Sequence, residues 1–301
     1  MKTNKPLFFL LLSICFSTNI FSQYYYYNDD YYDNDIVVEV GAGIGAMNSV
    51  TDVGGGDTEK RHYINEIRRS NFKVSNSIYA GLMYQNFLGA RLEATWGNVQ
   101  SADNQVKGIS GNQISIAARN LNFRSSILEI ALVTELHPLM LLNYKEAPPL
   151  LSPYLTAGVG WFSFNPQTLY KGRWIDLKPL HTEGQGFPEY PTMHEYSLSA
   201  VNIPAGFGVR YEVSSLFNLR LEYVHRFLFT DYLDDASSKK YINPAAFAKN
   251  LSPIQAAYAR ALHNPSTSGK VPARRGNPNN NDSYMAFSFK IGLVLGRERV
   301  H

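Results

Sequence analysis

"NLRLEYVHRFLF", residues 218 to 229, alternates between two kinds of surface. Leu219, Leu221 and Tyr223 fall on one face, and Arg220, Glu222 and Arg226 on the other. Period-two alternation marks a β-strand between two environments, and here one of them must accept charge. Working outward, the same period predicts strands over Tyr196–Glu212 and Tyr284–Leu295, then Pro153–Phe164, Asn122–Leu136, Gly89–Gly97, Ser77–Gln85 and Ile36–Ala46. In the last of these, Ile36, Val38, Val40, Ala42 and Ile44 oppose Glu39 and three glycines. Eight strands result.

Collected over the strands, one face carries Leu92, Ala94, Trp96, Leu219, Leu221, Tyr223, Phe287, Phe289, Ile291 and Leu293. The other carries Glu39, Arg91, Glu93, Glu129, Glu135, Arg210, Arg220, Glu222, Arg226 and Lys290. A soluble barrel such as a lipocalin would bury its apolar face, and so many charges in a small dry core carry a large desolvation cost. The polar lumen of a membrane barrel accommodates them. Five of these residues are acids and five are bases. Eight strands leave an interior only wide enough for side chains, so the expectation is a salt-bridged plug and not a diffusion porin.

The connections alternate in length. Long polar segments lie at Met47–Asn76, Asn98–Leu121, Asn165–Glu195 and Thr230–Ser283, and shorter ones at Gln85–Gly89, Pro138–Ser152 and Val213–Phe217. Outer-membrane barrels combine an even strand count, periplasmic turns and longer outer loops. The expected fold is an all-β, eight-stranded antiparallel up-and-down transmembrane β-barrel over residues 36–295, with four long extracellular loops and both termini in the periplasm.

Before the barrel, Lys2 and Lys5 precede the apolar run "PLFFLLLSICF" and the end "IFSQ". This is the pattern of a secretory signal peptide, with cleavage expected after Ser22, leaving residues 23–35 as a tyrosine- and acid-rich periplasmic leader and residues 296–301 as a short tail. Cys15, the only cysteine, follows Ile14 where a lipoprotein anchor wants a small residue, so no anchor and no disulfide are expected. Losing Lys2 and Lys5 lowers the formal charge from +3 to +1, which gives no reason to expect a nucleic-acid partner. After the signal, no apolar run reaches the length of a membrane helix, about 18 residues.

Three loop features invite chemistry. "KPLHTEGQGFPEY" (178–190) sets His181 and Glu183 around Thr182, followed by Gly184, Gln185 and Gly186. Such a pair suits acid/base work, a metal, or a plain turn. No nucleophile or third ligand accompanies it, and His62, His137, His194, His225 and His263 are scattered, so a glycine turn with solvated side chains is expected. "TDYLDD" places Asp231, Asp234 and Asp235 at a strand end without the glycine and terminal glutamate of a calcium loop, which favours a polar rim cluster. "LSPIQAAYARAL" (251–262) reads as a short helix capped by Ser252, with Pro253 in its first turn and Ile254, Ala257, Tyr258 and Leu262 along its packing stripe. No cofactor, metal or small-molecule substrate is expected.

Four ordered stretches, "WIDLKPLHTEGQG" (174–186), "YSLSAVNIPAGFGVRY" (196–211), "FTDYLDDAS" (229–237) and "RGNPNNNDSY" (275–284, with Arg275, Gly276, Asn277 and Pro278), resemble the PorG family, the small outer-membrane barrel of the type IX secretion system. "GAMNSVTDVGG" (45–55) is a weaker match. The resemblance covers about 153–292 and implies a non-enzymatic component that associates with a periplasmic ring of a PorK-like lipoprotein and a PorN-like protein, supporting export of proteins with C-terminal sorting domains. The chain departs from common barrel practice in ending "GRERVH" after Leu295, where a terminal aromatic is usual. The alternative reading is a general OmpA-like barrel acting as anchor, adhesin or narrow pore.

Overall fold

The computed structural model describes residues 35–55, 69–105, 118–142, 149–266 and 274–295. The expected signal peptide, nearly all of the leader and the tail fall outside them. The described residues form nine strands: β1 (Ile36–Val50), β2 (Lys73–Tyr84), β3 (Leu88–Ala102), β4 (Asn122–Leu136), β5 (Leu151–Tyr170), β6 (Arg173–Asp176), β7 (Ser199–Glu212), β8 (Phe217–Leu228) and β9 (Ser283–Leu295). All pairings are antiparallel; sequence neighbours pair, except that β7 pairs with β5 and not β6, and β1 pairs with β9 to close an eight-stranded barrel. β6 is the extra strand. It extends β5 as a hairpin (Gln167↔Asp176 to Tyr170↔Arg173), turned by Lys171 and Gly172 at φ 49° and 79°, the left-handed pair that a two-residue hairpin requires.

Period-two patterning places the side chains as the sequence predicts. On β4, Phe123, Ser125, Ile127, Glu129, Ala131, Val133 and Glu135 point inward, while Leu128, Ile130, Leu132 and Leu136 are exposed. Buried glutamates beside exposed leucines invert the order of a soluble protein. The exposed band continues around the barrel through Ile78, Leu82, Leu92, Leu155, Val159, Ile203, Phe207, Leu221, Phe289 and Ile291. Tyr84, Tyr211 and Phe217 edge it at the short-turn end, and Trp96, Trp161 and Phe227 towards the long-loop end. On β5 the band spans Leu151 to Trp161, and then Ser163, Asn165 and Gln167 follow on the outer face. At about 3.3 Å per residue and a tilt of about 40°, that is about 25 Å of height, the apolar band of an outer-membrane barrel.

Several strands run past their predicted ends on the long-loop side. β1 continues to Val50, β3 to Ala102 and β5 to Tyr170, so the barrel wall rises beyond the apolar band. Inside this raised wall Met47, Val99, Phe123, Phe162, Phe164, Leu228 and Tyr284 pack with Val53, Leu233 and Ala236 from the loops. An apolar septum therefore closes the lumen at that end. Above it, a second core joins Leu177, Leu180, Phe187 and Ile242 to Phe247 of α1 (Ala245–Asn250) and to α2 (Pro253–His263).

The predicted helix is α2, and Ser252 with Gln255 forms a capping box at its start. Its packing stripe differs from the expected one. Ala256, Ala259, Leu262 and His263 are buried, whereas Ile254 is 72% exposed. The small alanines let the helix approach the loop core closely, so Ile254 is left on the outer side. α1 carries no comparable period in the sequence and was not anticipated.

Candidate functional site: a sealed lumen beneath a loop cap

All ten lumen charges are buried. Arg91 contacts Glu93 at 2.9 Å, Glu222 at 2.8 Å, and Glu135. Arg220 reaches Glu39 and Glu135, each at 2.8 Å, and Arg226 reaches Glu129 at 2.8 Å. Lys290 joins Glu93 and Glu222, both at 2.6 Å. Arg210 sits in the field of Glu39, Glu212 and Glu135, beside Arg220. Tyr79 and Tyr154, which charge patterning does not reveal, complete the plug. Tyr154 donates to Glu222 (2.8 Å), Tyr79 donates to Glu39, and the Tyr79 ring faces Arg91, Arg220 and Lys290. Gly41 faces the Tyr79 ring, and a Cβ there would lie 2.5 Å from it. That close approach explains a glycine on the charged face.

The long loops converge on two arginines. Arg275 donates from Nε to Glu183 (3.0 Å), from Nη1 to the His263 carbonyl (2.8 Å) and from Nη2 to the Thr182 hydroxyl (2.8 Å) and Asp235. Glu183 also receives the backbone N–H groups of Ser237 and Ser238. Thr182 and Tyr196 donate to Asp235. Arg119 grips Asp103 through two 2.8 Å contacts and donates to the carbonyls of Asp52 and Arg275. Asp234 accepts from the N–H of Val53 and of Ala236, and Asp52 from the N–H of Asn277, which Pro278 follows. Gly276 lies so close to Ala236 that a Cβ would meet its carbonyl oxygen at 2.2 Å.

Two expectations are corrected here. Glu183 is fully buried, not solvated, because Arg275, far along the chain, compensates its charge. Asp231, Asp234 and Asp235 do not line an open rim but are buried beneath the loops, Asp234 and Asp235 engaged by backbone N–H or side-chain donors and Asp231 by Ser237. Burial pushes the Glu183 carboxyl up to about 7 against the pull of Arg275, with Asp235 reinforcing the rise. Asp235 is also raised by burial, again opposed by Arg275. Burial and Arg275 together lower His263 to about 4.

His181 turns away from Glu183. It occupies φ 47°, and its Nδ1 lies 2.6 Å from the Gln185 carbonyl. Gly184 and Gly186 both have φ 77°, a region that disfavours side-chain-bearing residues. Among the described residues no group of three His, Cys, Asp or Glu is placed to hold a metal ion. The stretch is a folded junction whose acid serves the loops.

No protein-family model and no curated protein sequence matches the chain. Among solved structures it aligns with Neisserial surface protein A (TM-score 0.36, 11% identity, 86% of this chain and 96% of that one). It also aligns with the attachment invasion locus protein Ail of Yersinia pestis in complex with sucrose octasulfate (0.34, 7%, 86% and 97%) and with outer membrane protein OprG of Pseudomonas aeruginosa (0.32, 11%, 86% and 95%).

Proposed function

We propose that this chain is a non-enzymatic, integral outer-membrane barrel with periplasmic termini that serves type IX protein secretion, held against a ring of PorK-like and PorN-like proteins. The membrane assignment rests on the exposed apolar band around a charged, sealed interior. The secretion assignment rests on the PorG-like stretches and on one spatial fact about them. "HTEGQG", "TDYLDDAS", "RGNPNNND" and "MNSVTDVGG" fall on three different loops, the middle two at opposite ends of the one between β8 and β9, yet Glu183, Asp235, Arg275, Asn277 and Asp52 are linked by the buried hydrogen bonds of the cap. Residues that resemble one family thus build one object, a rigid cap above a closed barrel. Affinity purification of the tagged full chain from gently solubilised envelopes tests the reading. Recovery of the two ring proteins supports it, and their absence from an intact, heat-modifiable barrel overturns it. The second reading, an anchor or adhesin, is favoured by the outward face of α2, where Ile254 stands exposed. The apolar septum counts against a pore.

A further inference from the structure

The β5–β6 hairpin and α2 leave an open groove of about 710 Å³ between them. Strand pairing sets Arg173 beside Tyr170 and Ile175 beside Thr168, so these residues share the hairpin face that looks towards α2. Trp174 and Asp176 take the opposite face. The groove is apolar at its base. Ile175 and Tyr258 pack on the second core, and the Tyr170 ring meets the Tyr258 ring edge-on at 6.2 Å. Ile254, the most exposed residue of its helix, lines the α2 wall. The hairpin wall carries charge of one sign. Arg173 and Lys171 are both exposed, with the Lys171 ammonium 5.2 Å from the centre of the Tyr170 ring. Among the described residues no acid lines the groove, and neither cation has a carboxylate partner. Pro253 opens both α2 and this wall, so the positive end of an 11-residue helix borders the same space.

We infer that this groove docks an acidic segment of another protein, one in which an apolar or aromatic side chain is flanked by carboxylates. The inference rests on the membrane placement of the apolar band and is independent of the secretion assignment. Depth and shape choose the occupant. Tyr170 lies nine residues beyond Trp161 on β5, about 20 Å above the band's edge at the rise and tilt of a barrel strand. Lipid headgroups reach only about 5–8 Å past the hydrocarbon, so the groove stands clear of their phosphates. A small molecule is held by a concave site that covers most of its surface, whereas this groove is open along one side. A chain laid across it sets an apolar side chain against Ile254 and Tyr258, as the anchor of a groove-bound peptide does. Its carboxylates then meet Lys171 and Arg173, whose planar fork donates to both oxygens of a carboxylate.

The test is fluorescence polarisation of the full chain in nanodiscs with the labelled peptide Asp-Asp-Tyr-Phe-Asp-Asp. The wild type is expected to bind it with a Kd below about 1 mM. The Lys171→Gln, Arg173→Gln double variant should bind about tenfold more weakly, the loss of one charge-assisted contact. Ile254→Ser should weaken binding about fivefold through lost apolar contact. All three positions are exposed, and a retained heat-modifiable band shows that each variant is folded. Lys249→Gln, a cation on α1 beside Glu189, should match the wild type. The uncharged peptide Asn-Asn-Tyr-Phe-Asn-Asn should bind the wild type no better than the acidic one binds the double variant. No binding of the acidic peptide, or equal binding by the groove variants or of the uncharged peptide, overturns the groove alone. Heparin that binds the wild type more tightly than the peptide, and is lost in the same variants, makes the occupant a sulfated glycan and overturns the peptide assignment. A wild-type chain that stays soluble without detergent or lipid overturns the membrane placement, and the argument against a lipid headgroup goes with it.

Discussion

Arg275 and Glu183 are 92 positions apart in the chain and meet at 3.0 Å inside the cap, with side chains 2% and 0% exposed. The same guanidinium holds the His263 carbonyl, Thr182 and Asp235. Removing one member of a buried pair strands the other charge and costs about 3–5 kcal/mol. Arg275→Leu is therefore expected to open the cap to protease on intact cells. The barrel should keep its heat-modifiable band shift, because the lumen pairs do not involve Arg275. Arg275→Lys should not rescue, since one ammonium cannot span acceptors arranged around a planar fork. Full protease resistance in Arg275→Leu would show that the arginine does not hold the loops.

The cap carries a pH dependence with a definite sign. Glu183 is raised to about 7, and Asp231 is raised too, first by burial and then by Asp282, Asp52 and Asp234 around it, with Ser237 opposing. A raised carboxyl gives stability that is complete below its unfolded value, about 4, and lost as pH rises through the folded value. His263, lowered to about 4 and facing Arg275, runs the other way, and its part is complete above about 6.5. Between about pH 6.5 and 8 the carboxyls act alone, and protease resistance of the cap is expected to fall across that window. Asp231→Asn should flatten the fall and stabilise the cap at neutral pH by about 1.4 kcal/mol or more, one pKa unit's worth. Resistance that rises from pH 6.5 to 8 contradicts the assignment.

The barrel was legible in the sequence because its signal is local. Alternation around Arg220 and Glu222 or Leu128 and Glu129 is fixed by the pleat, so neighbours in sequence declare which face they share. The lumen charges were legible for the same reason. The cap was not. Glu183 reads as a turn residue until Arg275 is brought to it, and no pattern within either loop announces the pairing. Tyr79 and Tyr154 were missed because a tyrosine on a barrel strand fits either face, and only the space left by Gly41 and Gly208 shows which. β6 escaped notice because its four residues are too few to show a period.

Lumen stability follows from Glu222, which accepts from Arg91 (2.8 Å), Lys290 (2.6 Å) and Tyr154 (2.8 Å). Glu222→Ala leaves two buried cations short of a partner, at about 3–5 kcal/mol, less where water reaches the lumen. The variant should lose its folded, fast-migrating band at a lower temperature than the wild type. Pairing the change with Lys290→Met should recover part of the loss, because one stranded charge is then gone. In planar bilayers the wild type is expected to give no steady porin-sized current. A stable large conductance would mean that neither the plug nor the septum seals the barrel.

The stretch "HTEGQG" orders its own residues by consequence. At Gly184 a Cβ would lie 2.9 Å from the Tyr190 ring, on a backbone already at φ 77°. A valine there meets both backbone strain, about 1–2 kcal/mol, and a packed aromatic. Gly186 has the same φ, but its nearest neighbour is the end of the Glu195 side chain, at 3.0 Å, which can move aside. Glu183 anchors Arg275, Ser237 and Ser238, whereas the His181 side chain makes one hydrogen bond, to the Gln185 carbonyl, and packs against the Phe187 ring. Damage to cap protease resistance should therefore be greatest for Glu183→Ala and Gly184→Val, smaller for Gly186→Val and least for His181→Ala. On the secretion reading, export of proteins with C-terminal sorting domains follows the same order when each variant is brought to equal surface level by labelling. A His181→Ala variant that abolishes export while its cap stays protease-resistant would separate the histidine from the scaffold, and a chemical role for it would follow.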